Sequence, residues 1–486
     1  NNWQPLDFQE EAWDSYSRGE SGIIQVPTGC GKTYAALMGP LLKLKEQNLP
    51  KGINILLVTP LKALSRDLKK SIINAIQFFD ANISVGIRNG DTSNYEKRKQ
   101  IIKPPNILIT TPESLTLLIA NKEANKLFTN LFSIIIDEWH ELMGCKRGNQ
   151  CELALSWLRG NNQNIQIWAM SATIGNIEEA ASSILGLNYK QPKIIKSNIV
   201  KSIEIKSVIP DKIGTFPWSG HLGIKSHKSL IKEIDKSKST LIFTNTRNQS
   251  ERWFQCLRYF NPEMEDNIAL HHGSLDKEDR KLVEEGVKEG SIKWVVCTSS
   301  LDLGVDFQPV DQIVQIGSAK NIGRLIQRAG RSAHKPGGIS KILFMPTNAL
   351  ELLEVSAMRR LINKGITEKI NIPELSYDVL LQHLVTLACG PGFDPNIEKE
   401  RIKNCLSYRN LKDEDWNWCL DFLEYGGRCL KAYPKYKKIE KIYEFNNKNN
   451  FKYIVKDKTL IRIHKFNIGT ITSDKSVLVK YKKGKS

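Results

Sequence analysis

Val26-Pro27-Thr28-Gly29-Cys30-Gly31-Lys32-Thr33 stands between the β-branched run Gly22–Val26 and the helical run Tyr34–Leu44. Its reading decides the fold. A glycine-rich turn between a strand and a helix lets successive backbone N–H groups close around a phosphate at the helix amino end. Thr28, Gly29, Cys30 and Gly31 supply that cradle, Lys32 reaches the β- and γ-phosphates of a nucleotide, and the Thr33 hydroxyl is placed to hold Mg²⁺. So short a motif also arises by chance, and it needs a second element to carry weight.

That element lies roughly one hundred residues downstream. Ile134-Ile135-Ile136 reads as a buried strand ending in Asp137-Glu138-Trp139-His140. Acids at the carboxyl end of a parallel strand lie where α/β proteins bind their ligands. Asp137 is expected to complete the Mg²⁺ coordination and Glu138 to orient and deprotonate an attacking water. An ordinary polar loop is the alternative for two adjacent acids, and the phosphate loop upstream argues against it. Near the amino end, Gln9 offers an amide that matches the donor and acceptor edge of adenine; a surface glutamine would look the same.

Outward from these motifs, Ile53–Thr59, Asn106–Thr110, Ser133–Asp137 and Ile165–Ser171 repeat the pattern of buried strand followed by turn or helix. The pattern restarts at Thr240–Thr244, Asn267–Leu270, Lys293–Thr298 and Gln312–Ile316. Two tandem parallel α/β domains follow, at 1–205 and 206–365. From 366 the chain turns helical: Ser376 can cap a helix with an apolar face of Tyr377, Leu380, Leu381, Leu384 and Leu387, and helices near 396–406 and 412–425 follow. This predicts a winged-helix domain at 366–433. Tyr453–Val455, Leu460–Ile463 and Val477–Val479 read as strands, so 434–486 is expected to begin a β-rich module that the chain does not complete.

The second domain lacks a phosphate loop but carries Gln327-Arg328-Ala329-Gly330-Arg331-Ser332-Ala333-His334. Arg328 and Arg331, at i and i+3, present two guanidinium forks from one helix face, suited to a γ-phosphate whose charge spreads during transfer. Surface salt bridges are the alternative.

Composition narrows the class. With 486 residues, 41% hydrophobic and 25% charged, the chain is expected to be a multidomain globular protein, and it has no unbroken apolar run long enough for a membrane span. Asn1-Asn2-Trp3 shows no export signal, so a cytoplasmic location is expected. Nine cysteines form no C-x-x-C pair, which predicts reduced thiols and no structural metal. The net charge of +18 is uneven: 426–486 hold seventeen Lys/Arg against four Asp/Glu, a surface for a polyanion or simply a solvated one.

With these motifs in place, the chain resembles the superfamily 2 helicases across about 1–345. Thr59-Pro60-Leu61, Thr110-Thr111-Pro112-Glu113, Ser171-Ala172-Thr173, Thr244-Asn245-Thr246-Arg247, and Cys297-Thr298-Ser299 through Gly304-Val305-Asp306 fall in that superfamily's order. Asp137-Glu138-Trp139-His140-Glu141-Leu142, the run 88–92, and His271-His272-Gly273-Ser274-Leu275-Asp276 resemble the large helicase-related (Lhr) proteins, above all their ligase-associated DEXH-box branch. Gln382-His383-Leu384, Gly392-Phe393-Asp394-Pro395 and Ala432-Tyr433-Pro434 extend the resemblance through the helical region; Ala333 departs from the glycine expected there.

The resemblance implies an ATP-dependent DNA helicase or translocase, stimulated by single-stranded DNA and moving 3′ to 5′ on the loading strand. Its substrate would be single-stranded DNA or a tailed duplex, RNA–DNA hybrids included, in DNA repair beside partners such as a ligase or nuclease. An RNA helicase and a non-catalytic ATP sensor remain the alternatives. The nucleotide would also meet Gly304 and Asp306. Thr59, Arg66, Thr111, Thr246 and Thr298 are expected to hold the nucleic-acid backbone without reading bases, and Trp418 either stacks on a base or packs against a neighbouring domain. Ser171 and Thr173 would connect the two sites, and His140 with Gln327 would bridge the domains.

Overall fold

The computed structural model describes residues 4–27, 29–77, 82–172, 174–197, 202–209, 222–302, 310–332, 338–427, 432–433, 436–444 and 447–469. The first domain is a seven-stranded parallel sheet of β1 (Gly22–Gln25), β2 (Ile55–Val58), β3 (Val85–Arg88), β4 (Ile107–Thr110), β5 (Ser133–Ile136), β6 (Gln166–Ser171) and β7 (Lys193–Lys196), in the order β3-β4-β2-β5-β6-β1-β7. The central strands are apolar at nearly every position because helices cover both faces. This order sets β5, β6 and β1 side by side, so the phosphate loop, the acid pair and Ser171 all emerge at one carboxyl edge.

The second sheet comprises β8 (Ile203–Ser207), β9 (Thr240–Phe243), β10 (Ile268–His271), β11 (Trp294–Cys297), β12 (Gln312–Ile316) and β13 (Ser340–Met345), in the order β10-β11-β9-β12-β13-β8 and also parallel. β3, β7, β8 and β13 were not anticipated. Three of them are sheet edges, half-buried and carrying Lys or Arg, so they lack the apolar run that marks a central strand.

The helices Tyr377–Cys389, Pro395–Lys403 and Asp413–Tyr425 match the expected trio. Ser376 lies at the cap position of the first, but its hydroxyl accepts from Asn149 Nδ2 at 3.0 Å instead of capping the helix. Past them, β14 (Glu440–Glu444) and β15 (Asn447–Ile454) form an antiparallel hairpin. Leu460–Ile463 is not a strand but part of the helix Lys458–Asn467, started by Asp457, whose carboxylate accepts from Thr459 N at 2.7 Å; a side-chain cap before an apolar run outweighs its β-branched content. Val477–Val479 lies outside the described residues.

This helical region is docked on the first domain. Leu118, Leu153 and Trp157 share one buried core with Leu380, Leu384, Trp416, Leu423 and Tyr453. Polar bonds cross the same seam: Asn149 Nδ2 to Pro373 O at 2.8 Å, Ser156 Oγ to Arg401 O at 2.8 Å, and Ser407 N to the Glu152 carboxylate at 3.2 Å. Burial pushes the Glu152 carboxyl up to about 7. Gly390 faces the Ile119 carbonyl so closely that a Cβ there would lie 2.3 Å from its oxygen.

Candidate active site

Gly29 and Gly31 both adopt left-handed backbone, φ 78° and 83°, which a side chain would resist. They turn the chain into the helix Lys32–Glu46, where Thr33 is half-buried in the first turn and Cys30 lines the loop. Thr28 lies outside the described residues. Gln9 is buried beneath this loop, its Nε2 donating to Gly31 O at 3.1 Å and its Oε1 accepting from Leu6 N at 3.0 Å. Both ends of the amide that was matched to adenine are thus engaged by backbone, and Gln9 braces the phosphate loop.

Asp137 leaves β5 with its N–H donating to Val58 O at 2.8 Å, and Glu138 follows at φ 45°, an uncommon conformation for a non-glycine residue. That turn aims the Glu138 carboxylate at Lys32, whose Nζ lies 3.3 Å away with both groups buried. Burial pushes Glu138 up, but Lys32 first, then His140 and Arg331, outweigh it and hold the carboxyl low. Asp137 goes the other way: burial, then the Glu138 charge, raise it to about 7. The Lys32 charge offsets this only in part. A hard divalent cation suits a carboxylate and a hydroxyl as oxygen donors, and Mg²⁺ in such sites is held largely by water and phosphate, so Asp137 and Thr33 fit that ion.

His140 joins two of the expected residues. Its Nδ1 lies 2.9 Å from Ser171 Oγ at the end of β6, and its Nε2 contacts the Gln327 amide nitrogen across the cleft. Burial pushes the imidazole down to about 4. A neutral ring has one N–H, and because an amide nitrogen only donates, Nε2 accepts and Nδ1 donates to Ser171. Thr173 lies outside the described residues.

The two arginines do not share a helix face. The helix Ile322–Ala329 ends before Arg331. Arg328 is fully buried in the second domain, with Nε to Asp302 Oδ1 at 2.7 Å, Nη2 to Asp302 Oδ2 at 3.1 Å, Nη1 on Gln315, and its guanidinium over the Phe243 ring. This corrects the expectation that Arg328 faces the phosphate: its fork is filled by Asp302. Arg331 donates to Asp302 O at 3.0 Å and is among the charges that Glu138 feels. Gly304 and Asp306 lie outside the described residues.

Of the residues expected to hold a nucleic-acid backbone, Thr246 and Arg66 are exposed and Thr298 is half-buried. Thr59 and Thr111 are buried; the Thr59 hydroxyl donates to Leu61 O at 2.7 Å, and Thr111 Oγ1 lies 3.4 Å from Ser114 Oγ. These two hydroxyls brace their own turns instead of facing outward, as short hydroxyl side chains at strand tips do. Arg147, which carries no motif signal, ties both loops together through Glu113 Oε1 at 2.6 Å and Pro60 O at 2.7 Å. Trp418 is 50% exposed and stacks on Phe422 at 5.3 Å, while Trp416, Cys419 and Leu423 on the opposite face are buried.

Two RecA-type sheets, a phosphate loop and an acid pair on one, and on the other Arg331, whose charge Glu138 feels, define a superfamily 2 helicase motor. The chain belongs to the large helicase-related (Lhr) family. Family models match for the DEAD/DEAH box helicase over 6–180, the helicase conserved C-terminal domain over 225–335, and the large helicase-related protein winged helix domain over 360–486. The ATP-dependent helicase Lhr-Core of Sulfolobus acidocaldarius is 34% identical over 447 residues, covering 88% of this chain and 51% of that protein. The Lhr-Core of Methanocaldococcus jannaschii is 33% identical over 483 residues, covering 96% and 56%. Among solved structures, Mycobacterium smegmatis helicase Lhr bound to ssDNA and AMP-PNP superposes with a TM-score of 0.81 at 26% identity, covering 96% of this chain and 60% of that one. The chain spans about half the length of the curated relatives it matches.

Proposed function

We propose that this chain is the motor of an ATP-dependent DNA helicase that moves 3′ to 5′ on single-stranded DNA, in the manner of the ligase-associated branch, and serves DNA repair beside a ligase or nuclease in the nucleoid. The observation that carries the reading is the closed cleft: Lys32, Glu138, His140, Gln327 and Arg331 meet between the two sheets. The mycobacterial Lhr, seen with ssDNA and AMP-PNP, supports single-stranded DNA as the track. Among the described residues no helix is long and apolar enough to cross a membrane. Of the expected limits, 1–205, 206–365, 366–433 and 434–486, the first is better drawn before residue 203, because β8 (Ile203–Ser207) pairs into the second sheet, and the last two segments form one unit, since Tyr453 shares a core with Leu380 and Trp416 and the winged-helix family model spans 360–486.

When bound through Asp137 and Thr33, Mg²⁺ would offset charge on the phosphate oxygens. Lys32 leaves Glu138 for the β- and γ-phosphates, freeing that carboxylate to take a proton from the attacking water. Water oxygen bonds to the γ-phosphorus as the bond to the bridging oxygen breaks, and ADP and phosphate result. Arg331 stabilises the charge that spreads during the step, while Arg328 holds Asp302 and hence the Arg331 turn. Loss of the γ-phosphate removes what favours the closed state, and the cleft opens.

ATP turnover measured with matched single-stranded DNA, duplex and RNA should rise most with single-stranded DNA. Stimulation by RNA alone would overturn the DNA reading, and no turnover with any polymer would leave a non-catalytic ATP sensor.

Trp418→Ala should weaken single-strand binding by about 1–3 kcal/mol, the contribution of one stacked base, with little change in melting temperature because half of the indole is already exposed. A fall in melting temperature with DNA affinity intact would assign Trp418 to domain packing.

A further inference from the structure

The segment joining the second motor domain to the winged helix does not cross open solvent. From Ile370 onward it is laid on the first domain: Ile370 N donates to Asn176 Oδ1 at 2.9 Å, Asn176 Nδ2 donates back to Ile370 O at 3.1 Å, and Asn149 Nδ2 holds Pro373 O. The Thr367 and Glu368 carbonyls press on Gly175, where a Cβ would come within 2.6 and 2.5 Å of them. Gly175 lies just after the Ser171 segment, and strap residues 367–370 line a cavity of about 330 Å³ shared with His140, Arg324 and Gln327. The strap therefore belongs to the first domain and borders the catalytic cleft.

One side chain reaches from it to the other domain. The Glu368 carboxylate accepts from Ile322 N with both oxygens, at 2.8 and 3.0 Å. Ile322 is the first residue of the helix that carries Gln327 and leads to Arg331. An anion at a helix amino end satisfies a donor that has no partner within the helix and complements the helix dipole. Because the strap is fixed to one domain and the helix to the other, opening the cleft would pull this contact apart.

We infer that Glu368 is a positioning residue for ATP hydrolysis: it sets the arginine-bearing helix against the first domain and so links cleft closure to the strap on which the winged helix is seated. The inference rests on the motor reading above. A contact made in one state and lost in the other shifts the balance toward the closed state by its own differential strength. Glu368 is exposed and its removal leaves no buried charge, so variants there should fold.

Two measurements on the chain test this. Hydrogen exchange at Ile322 and the rest of that first turn should quicken in Glu368→Ala, in the presence of a non-hydrolysable ATP analogue and single-stranded DNA. DNA-stimulated kcat should fall about three- to tenfold, the scale of a charge-assisted bond at a helix end, with KM for ATP little changed, and Glu368→Gln should recover part of both. Unchanged exchange would show that the contact does not hold the helix, and quickened exchange with unchanged kcat would show that it does not position Arg331; either overturns the inference. Absence of DNA-stimulated turnover in the unaltered chain would instead overturn the motor reading, while the exchange result would still decide whether Glu368 holds the helix.

Discussion

Glu138→Gln is expected to bind ATP and lose nearly all hydrolysis. The amide keeps the shape and hydrogen-bonding reach of the carboxylate but cannot accept the proton from water, and positioned general bases contribute about 10²–10⁴-fold. Nucleotide affinity should hold or rise. Glu138 is buried against Lys32 at 3.3 Å, so removing its charge frees that lysine for the phosphates and takes away a negative neighbour of the γ-phosphate. Single-turnover hydrolysis beside equilibrium nucleotide binding checks both halves, and turnover equal to the unaltered chain would remove Glu138 from the base role.

The second large effect separates the two arginines. Arg331→Ala should keep ATP affinity within about an order of magnitude while lowering turnover by ~10³-fold or more, since an arginine finger acts chiefly on the transition state. Arg328→Ala should act differently. It leaves Asp302 buried without the fork that fills it, and breaking a buried pair costs about 3–5 kcal/mol, so the signature is a lowered melting temperature. Turnover and thermal unfolding measured on both variants would refute the assignment if Arg331→Ala lost stability and kept its rate.

The phosphate loop, the acid pair and the tandem parallel sheets were legible because each is local: glycines with a lysine, acids at a strand tip, apolar runs buried on both faces. The edge strands were not, since a half-covered strand such as Lys193–Lys196 has no need of an apolar run. Arg328 and Arg331 look equivalent in sequence, and only the fold shows that Asp302, twenty-six residues away, fills one of them. Gln9, Thr59 and Thr111 lie at the loops where they were expected to meet ligands, but their side chains turn inward to backbone and neighbouring hydroxyls, a choice that local sequence does not record. Arg147 and Glu368 act through partners 34 and 46 residues distant, with no motif to announce them.

The seam between the first domain and the winged helix also has a history on the ribosome. The apolar face bearing Leu153 and Trp157 is completed by residues made much later, with bonded partners such as Asn149 and Pro373 or Asn149 and Ser407 lying 224 and 258 positions apart. At synthesis rates of about 5–20 residues per second, that face waits roughly 10–50 s for its cover, while the whole second motor domain emerges. The nascent chain thus passes through an interval in which its first domain is folded but sticky, and in which holdase chaperones have most to protect.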